Sequence, residues 1–222
     1  ARALAIRPRV LLLDEPVSAL DEQTRDYLCR QLKQLQQETQ TTTIHVCHNF
    51  AEMLAVADRV GILYEGRILQ VGTPHGILER PNSRLVAQFV RSGNLLPARA
   101  RLEGDRLRLT CSDGIELLAP KPAGDFFKAG VAEADVTVVV RPENIRLATG
   151  GVEATPDATV LEGSVRYMAD LGPTVCVTVA CGPEIELLVM LAKKEYGGLN
   201  LEVGSRVRPV IATEDIHVLA ET

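Results

Sequence analysis

Val10-Leu11-Leu12-Leu13-Asp14-Glu15-Pro16, followed at once by Ser18-Ala19-Leu20-Asp21, sets how the rest of this chain is read. Four aliphatic residues in a row, without polar alternation, suit a strand buried on both faces of a parallel sheet. Two carboxylates stand where that strand ends, and Pro16 opposes further pairing. Ligands of open α/β sheets gather outside the carboxyl ends of the strands, so the acid pair occupies a place where chemistry is done. Asp-Glu-Pro alone is too short to separate such a site from a charged surface turn. The residues downstream have to choose.

Asp21 caps a predicted helix over roughly Glu22 to Glu38, with Leu28, Leu32 and Leu35 on one face. The β-branched run Thr41-Thr42-Thr43-Ile44, continuing through Val46, predicts the next parallel strand and completes a β-α-β unit. That strand ends at Cys47-His48-Asn49, where Asn49 caps a short helix turning Phe50, Met53, Leu54 and Ala57 inward. A hairpin is expected where residues 59–64 and 67–71 flank Glu65-Gly66. Thr73-Pro74 opens a further helix, and a last one runs from about Ser83 to Arg91. Composition changes at Arg91-Ser92-Gly93-Asn94, the expected junction between an α/β part, residues 1–92, and a β part, residues 93–222.

The β part repeats itself. Gly114-Ile115-Glu116-Leu117-Leu118 is echoed by Glu184-Ile185-Glu186-Leu187-Leu188. Val140-Arg141-Pro142-Glu143-Asn144-Ile145 is echoed more loosely by Ile211-Ala212-Thr213-Glu214-Asp215-Ile216. Both echoes have nearly the same offset, which predicts two copies of one small unit, at about 95–149 and 157–222. Alternating strands such as Arg106 to Thr110 and Val175 to Val179, joined by Gly-rich turns, suggest a tandem of OB-like barrels.

Composition narrows the function classes. The chain has 222 residues, is 46% hydrophobic and 24% charged, and carries a formal net charge of -5. That charge argues against a general nucleic-acid binder. No apolar run approaches the length that crosses a bilayer. The five cysteines show no C-x-x-C spacing and read as small buried hydrophobes in a reducing compartment. His45 and His48, three apart on a strand, point to opposite faces and are not expected to share a metal. Ala1 to Ile6 enters in the middle of an apolar helical pattern without a cap, which reads as a chain cut within a domain.

In their order along the chain these motifs resemble those of ABC-transporter ATPases. Residues 10–21 are similar to that family's Walker B strand and D-loop, and His48 stands where the family keeps its switch histidine. Asn49 replaces the Asp that commonly follows it. Ala1-Arg2-Ala3-Leu4 looks like the helix after the signature motif, and Phe50 through Pro74 looks like the segment after the switch. The β part resembles the TOBE domain of importer ATPases, most clearly at residues 140–145 and Leu161-Glu162-Gly163. The implied fold is the C-terminal part of a P-loop-type α/β domain followed by an all-β tandem OB-like domain.

The resemblance also implies roles. Asp14 would help hold Mg²⁺ through water, and Glu15 would activate the water that attacks the γ-phosphate of ATP. His48 would contact that phosphate and Glu15, while Ser18 and Asp21 would face the nucleotide at the interface with a second ATPase subunit. No G-x-x-x-x-G-K-[ST] motif is present, nor a signature motif, so the 222-residue chain by itself is expected to be inactive. Implied partners are membrane permease subunits and a second copy of the ATPase, with a periplasmic or extracellular substrate-binding protein acting indirectly. The implied location is the cytoplasmic face of the cell membrane.

The substrate signal is thinner. Ser92 and Asn94 in the junction, with residues 193–217, look similar to molybdate-binding versions of the TOBE domain, so the expectation is an importer of an oxyanion such as molybdate or tungstate. Ala212 stands where such versions often carry Lys. Competing expectations are a β part that only braces the ATPase dimer, a pure oxyanion-sensing module, or an importer ATPase for sulfate, a polyamine, a sugar or iron. A non-transport ABC ATPase is disfavoured by the acidity and the TOBE-like tail.

Overall fold

The computed structural model describes residues 8–90, 92–121, 133–151, 155 and 157–220. It divides into two compact units, one ending at Glu79 and one beginning at Arg80. The helix expected at Ala1 to Leu4 lies outside the described residues, as does Arg91.

In the first unit, β1 (Val10–Asp14) pairs in parallel with β2 (Thr42–Val46), Leu12 opposite Ile44 and Asp14 opposite Val46. The crossover is α1 (Glu22–Thr39). Asp21 caps it by accepting the Thr24 N–H at 3.0 Å, and Gln40 closes it in a left-handed conformation. Its inner face centres on Cys29, 1% exposed, with Leu28 and Leu32 half-buried beside it; Leu35 is exposed. Lys33 ties this helix to α2 (Phe50–Val56), bonding the Val56 carbonyl and the Asp58 carboxylate.

Two expectations are corrected here. β1, which reads as a strand buried on both faces of a larger sheet, has one bare face in this two-stranded sheet, where Val10, Leu12, Ile44 and Val46 are exposed, Leu12 at 71%; a sheet short of a strand partner is expected to leave apolar surface exposed in this way. Two strands have only their own helices to cover them, and those lie on the other side of the alternation. Leu54, expected inside, is exposed, and Glu52 is buried in its stead. The helix presents its 49–52–53–56 edge inward because Glu52 finds a histidine partner there.

β3 (Val60–Tyr64) and β4 (Arg67–Gly72) form the expected hairpin. Glu65 and Gly66 both have positive φ, as a two-residue turn of this hand requires. α3 (Pro74–Glu79) follows, capped by the Thr73 hydroxyl.

The second unit takes in α4 (Arg84–Phe89), which the sequence places at the end of the first half. Ala87 on this helix packs with Val139, Leu219 and Leu95, and the half-buried His217 donates to the Pro81 carbonyl. That apolar contact explains why β8 (Glu133–Val140) is buried on both faces from Val136 to Val140. Each valine buried there is worth roughly 1.5–3 kcal/mol.

The β part contains β5 (Asn94–Glu103), β6 (Arg106–Cys111), β7 (Glu116–Pro120), β8 and β9 (Ile145–Ala148) in its first half. Its second half has β10 (Ala158–Val160), β11 (Gly163–Asp170), β12 (Thr174–Ala180), β13 (Glu186–Ala192), the short α5 (Lys193–Gly197), β14 (Arg206–Ala212) and β15 (Ile216–Ala220). One antiparallel sheet runs β15-β8-β5-β6-β7; in the other β9 pairs β14, which leads on to β11, β12 and β13. The two repeats therefore exchange their last strands. The edges β15 and β7 meet again, as do β9 and β13, so each sheet curls into a small OB-like barrel around one shared core. Chain exchange is why Asn144 and Asp215, corresponding residues of the two copies, hydrogen-bond at 2.9 Å.

Candidate functional site

Glu15 and His48 meet at the carboxyl ends of β1 and β2. His48 Nδ1 lies 3.0 Å from Glu15 Oε1, although 33 residues separate them in sequence. Both side chains reach solvent, at 72% and 47% exposure for His48 and Glu15. An ionised carboxylate only accepts, so the Nδ1 nitrogen carries the proton of this bond. Parallel pairing brings the pair together, because the Glu15 N–H donates to the Val46 carbonyl at 2.9 Å and carries the ladder one residue past β1.

Glu15 has φ 44°, the left-handed region, immediately before a proline. A side-chain-bearing residue held there costs on the order of 1 kcal/mol, and such strain persists only where the surroundings fix it. What fixes it is a tight turn. The Ser18 hydroxyl and N–H both bond the Glu15 carbonyl, at 3.0 and 3.3 Å, and Val17 is buried at 2% beneath them. Ser18 thus shapes the loop. Asp21 ends it as the cap of α1, where the Thr24 N–H holds its carboxyl below the usual range. Asp14 is exposed, and its carboxylate has no hydrogen-bond or ion-pair partner among the described residues. Asn49, in the place of Asp, caps α2 by accepting the Glu52 N–H at 3.1 Å.

Ser92 and Asn94, the candidate oxyanion ligands, sit elsewhere and do something different. Both are buried. Asn94 Nδ2 donates to the Val140 and Leu188 carbonyls at 3.1 and 2.8 Å, and its Oδ1 accepts the Leu188 N–H at 2.6 Å. The amide is saturated and staples β5 of one barrel to β13 of the other, leaving nothing to offer an anion. Ser92 Oγ is buried without a hydrogen-bond partner among the described residues. Gly93 between them has φ 88°, and a Cβ there would stand 2.3 Å from Pro142 Cδ.

Sequence reading missed one group. His45 Nε2 lies 2.6 Å from Glu52 Oε1, and Cys47 stands on the same face of β2. The signal was available: residues 45 and 47 share a parity, and Glu52 falls at the third position after the Asn49 cap. The expectation weighed His45 only against His48, which faces Glu15 instead. A surface cleft in the first unit lies at the opposite ends of β1 and β2, lined by Pro8, Arg9, Val10 and Thr39 to Thr42, and holds no acid–base pair.

Comparison with known proteins adds the following. Residues 138–219 match the TOBE domain family. The chain is 35% identical over its whole length to the spermidine/putrescine import ATP-binding protein PotA of Mesorhizobium japonicum, covering 58% of that protein. It is 37% identical to the PotA protein of Acidothermus cellulolyticus, over 98% of this chain and 56% of the relative. A third, from Thermobifida fusca, is 36% identical over 85% of this chain and 47% of its own length. The chain thus spans about half the length of these relatives. Among solved structures, the cytoplasmic molybdate-binding protein ModG superposes with a TM-score of 0.52 at 20% identity, over 58% of this chain and 96% of that one. At that identity the likeness concerns the tandem β fold alone.

Proposed function

From a TOBE domain joined to a segment homologous to import ATP-binding proteins, we propose that this chain is the C-terminal part of the ATP-hydrolysing subunit of an ABC importer. The observation that carries the reading is the contact of Glu15 with His48 at 3.0 Å across two adjacent strand ends. Phosphoryl transfer to water needs an acceptor for the water's proton and charge aimed at the terminal phosphate. Glu15, exposed and oriented by His48 and by its own strained turn, serves as that acceptor. His48 holds the carboxylate through Nδ1 and, when its ring is protonated, presents Nε2–H to a phosphate oxygen.

Asp14 fits a magnesium ion, because a free, exposed carboxylate suits a cation that keeps most of its waters. Bound there, Mg²⁺ would neutralise charge on the nucleotide phosphates. In this reading Ser18 and Asp21, in the loop between Glu15 and α1, face a second ATPase subunit. The exposed apolar face of β1 and β2 suits further strands or helices of a larger ATPase domain. Partners of this reading are that second subunit, membrane permease subunits and, through them, a substrate-binding protein outside the cytoplasmic membrane. Among the described residues no helix is long and apolar enough to cross a membrane.

For the cargo, the polyamine class named for the relatives is favoured over an oxyanion, since Asn94 is already saturated. The test uses the full-length subunit reconstituted with its permease in vesicles. Glu15→Gln lowers steady-state ATP turnover at least about 100-fold while nucleotide binding persists. Wild-type turnover rises with spermidine or putrescine and its binding protein, and not with molybdate. Turnover in Glu15→Gln equal to wild type rejects the catalytic assignment; stimulation by molybdate alone restores the oxyanion reading.

A further inference from the structure

Behind the Glu15–His48 contact, β2 carries a second chemical group that phosphoryl transfer does not use. His45 on β2 and Cys47, the residue that follows the end of the strand, share one face by parity, and Glu52 reaches them from the first turn of α2. One ligand atom from each of the three lies within 4.8 Å of the others. Glu52 is 3% exposed and the His45 side chain 11%. Its helix is pinned at that end by Asn49, whose side chain accepts the Glu52 N–H. We propose that His45, Cys47 and Glu52 form a binding site for a divalent cation of the zinc class.

The chemistry of the donors selects the metal. A thiolate, an imidazole and a carboxylate together suit zinc, which takes nitrogen and sulfur readily in a tetrahedral shell. Magnesium and calcium ask for oxygen donors throughout and find one carboxylate here. Three protein ligands leave a fourth position for water. In the metal-free protein the His45–Glu52 hydrogen bond holds a proton between the two atoms that a cation would bridge; binding exchanges the protons of the site for the metal. A buried carboxylate is costly unless paired, and a divalent cation bound by both groups would pair the Glu52 carboxylate directly. Because the ligands span β2 and α2, occupancy fastens that helix to the strand whose end bears His48.

A merely structural His45–Glu52 pair makes a different prediction, and Cys47 separates the two. The 222-residue chain is stripped with chelator, then titrated with Zn²⁺ by calorimetry and with Co²⁺ by absorption. The expected result is one cation per chain, with a Kd of about micromolar or tighter. Co²⁺ shows tetrahedral ligand-field bands and a thiolate charge-transfer band, and Zn²⁺ raises the melting temperature. Cys47→Ser leaves the hydrogen-bonded pair in place, abolishes the charge-transfer band and weakens binding at least about tenfold, since even outer-shell changes cost that much. Cys181→Ser, in the other unit, changes none of these. Absence of binding below about millimolar Zn²⁺, unaltered binding by Cys47→Ser with native circular dichroism, or a band lost in Cys181→Ser overturns the proposal.

Discussion

Replacing Asn94 by Ala removes the staple between the two barrels. Three hydrogen bonds go with it: to the Val140 carbonyl, the Leu188 carbonyl and the Leu188 N–H. At about 1 kcal/mol net for each, the loss is about 3 kcal/mol. Leu188 lies on the rim of the barrel and is 36% exposed, so water recovers part of its lost bonding. The Val140 carbonyl sits in a fully buried stretch and recovers less. About 2 kcal/mol is the expected net loss. With a urea slope of roughly 2 kcal/mol per molar, the midpoint for the β unit falls by about 1 M. The chain has no Trp, so circular dichroism in the strand region follows the transition. Asn94→Asp keeps the acceptor for the Leu188 N–H but loses both donors, and falls between wild type and Ala or below. A midpoint for Asn94→Ala within about 0.2 M of wild type refutes the staple and frees Asn94 for ligand binding.

Gly93→Ala forces a Cβ against Pro142 at a φ of 88°; the combined strain and clash cost about 2–4 kcal/mol, seen as a lowered melting temperature of the same unit. His217 supplies a pH dependence. Burial depresses its pKa below the ordinary 6.5, with the positive charge of Arg80 adding to this, while the bond to the Pro81 carbonyl opposes it. The unfolded chain therefore binds a proton first as pH falls. Stability is full above 6.5 and declines between that value and the depressed folded one, then levels off. His217→Gln flattens this step in urea midpoints measured from pH 7.5 to about 5; an unchanged step assigns it to other groups.

Several features were legible in the order of residues. The aliphatic run before Asp14-Glu15 and the β-branched run before His48 marked two parallel strand ends, and the structure joins their terminal side chains. Capping at Asp21, Asn49 and Thr73 was readable because a short polar side chain satisfies free N–H groups within its own turn. The Glu65-Gly66 hairpin was readable for a similarly local reason. The echo at an offset near seventy announced two copies of one unit. Ser92 and Asn94 were legible as polar residues in a junction, but their surroundings were not.

Local chemistry, then, was determined by the sequence alone: which stretches form strands, which residues cap, and that an acid and a histidine end neighbouring strands. Tertiary structure decided everything that depends on who sits across the gap. It assigned β9 and β15 to each other's barrels, spent the Asn94 amide on Leu188, turned Glu52 inward toward His45, and carried α4 over to the β unit. These outcomes turn on contacts between segments distant along the chain, where burial and hydrogen-bond saturation are settled only once the partners have met. No periodicity within one segment encodes its partner's unfilled bonds.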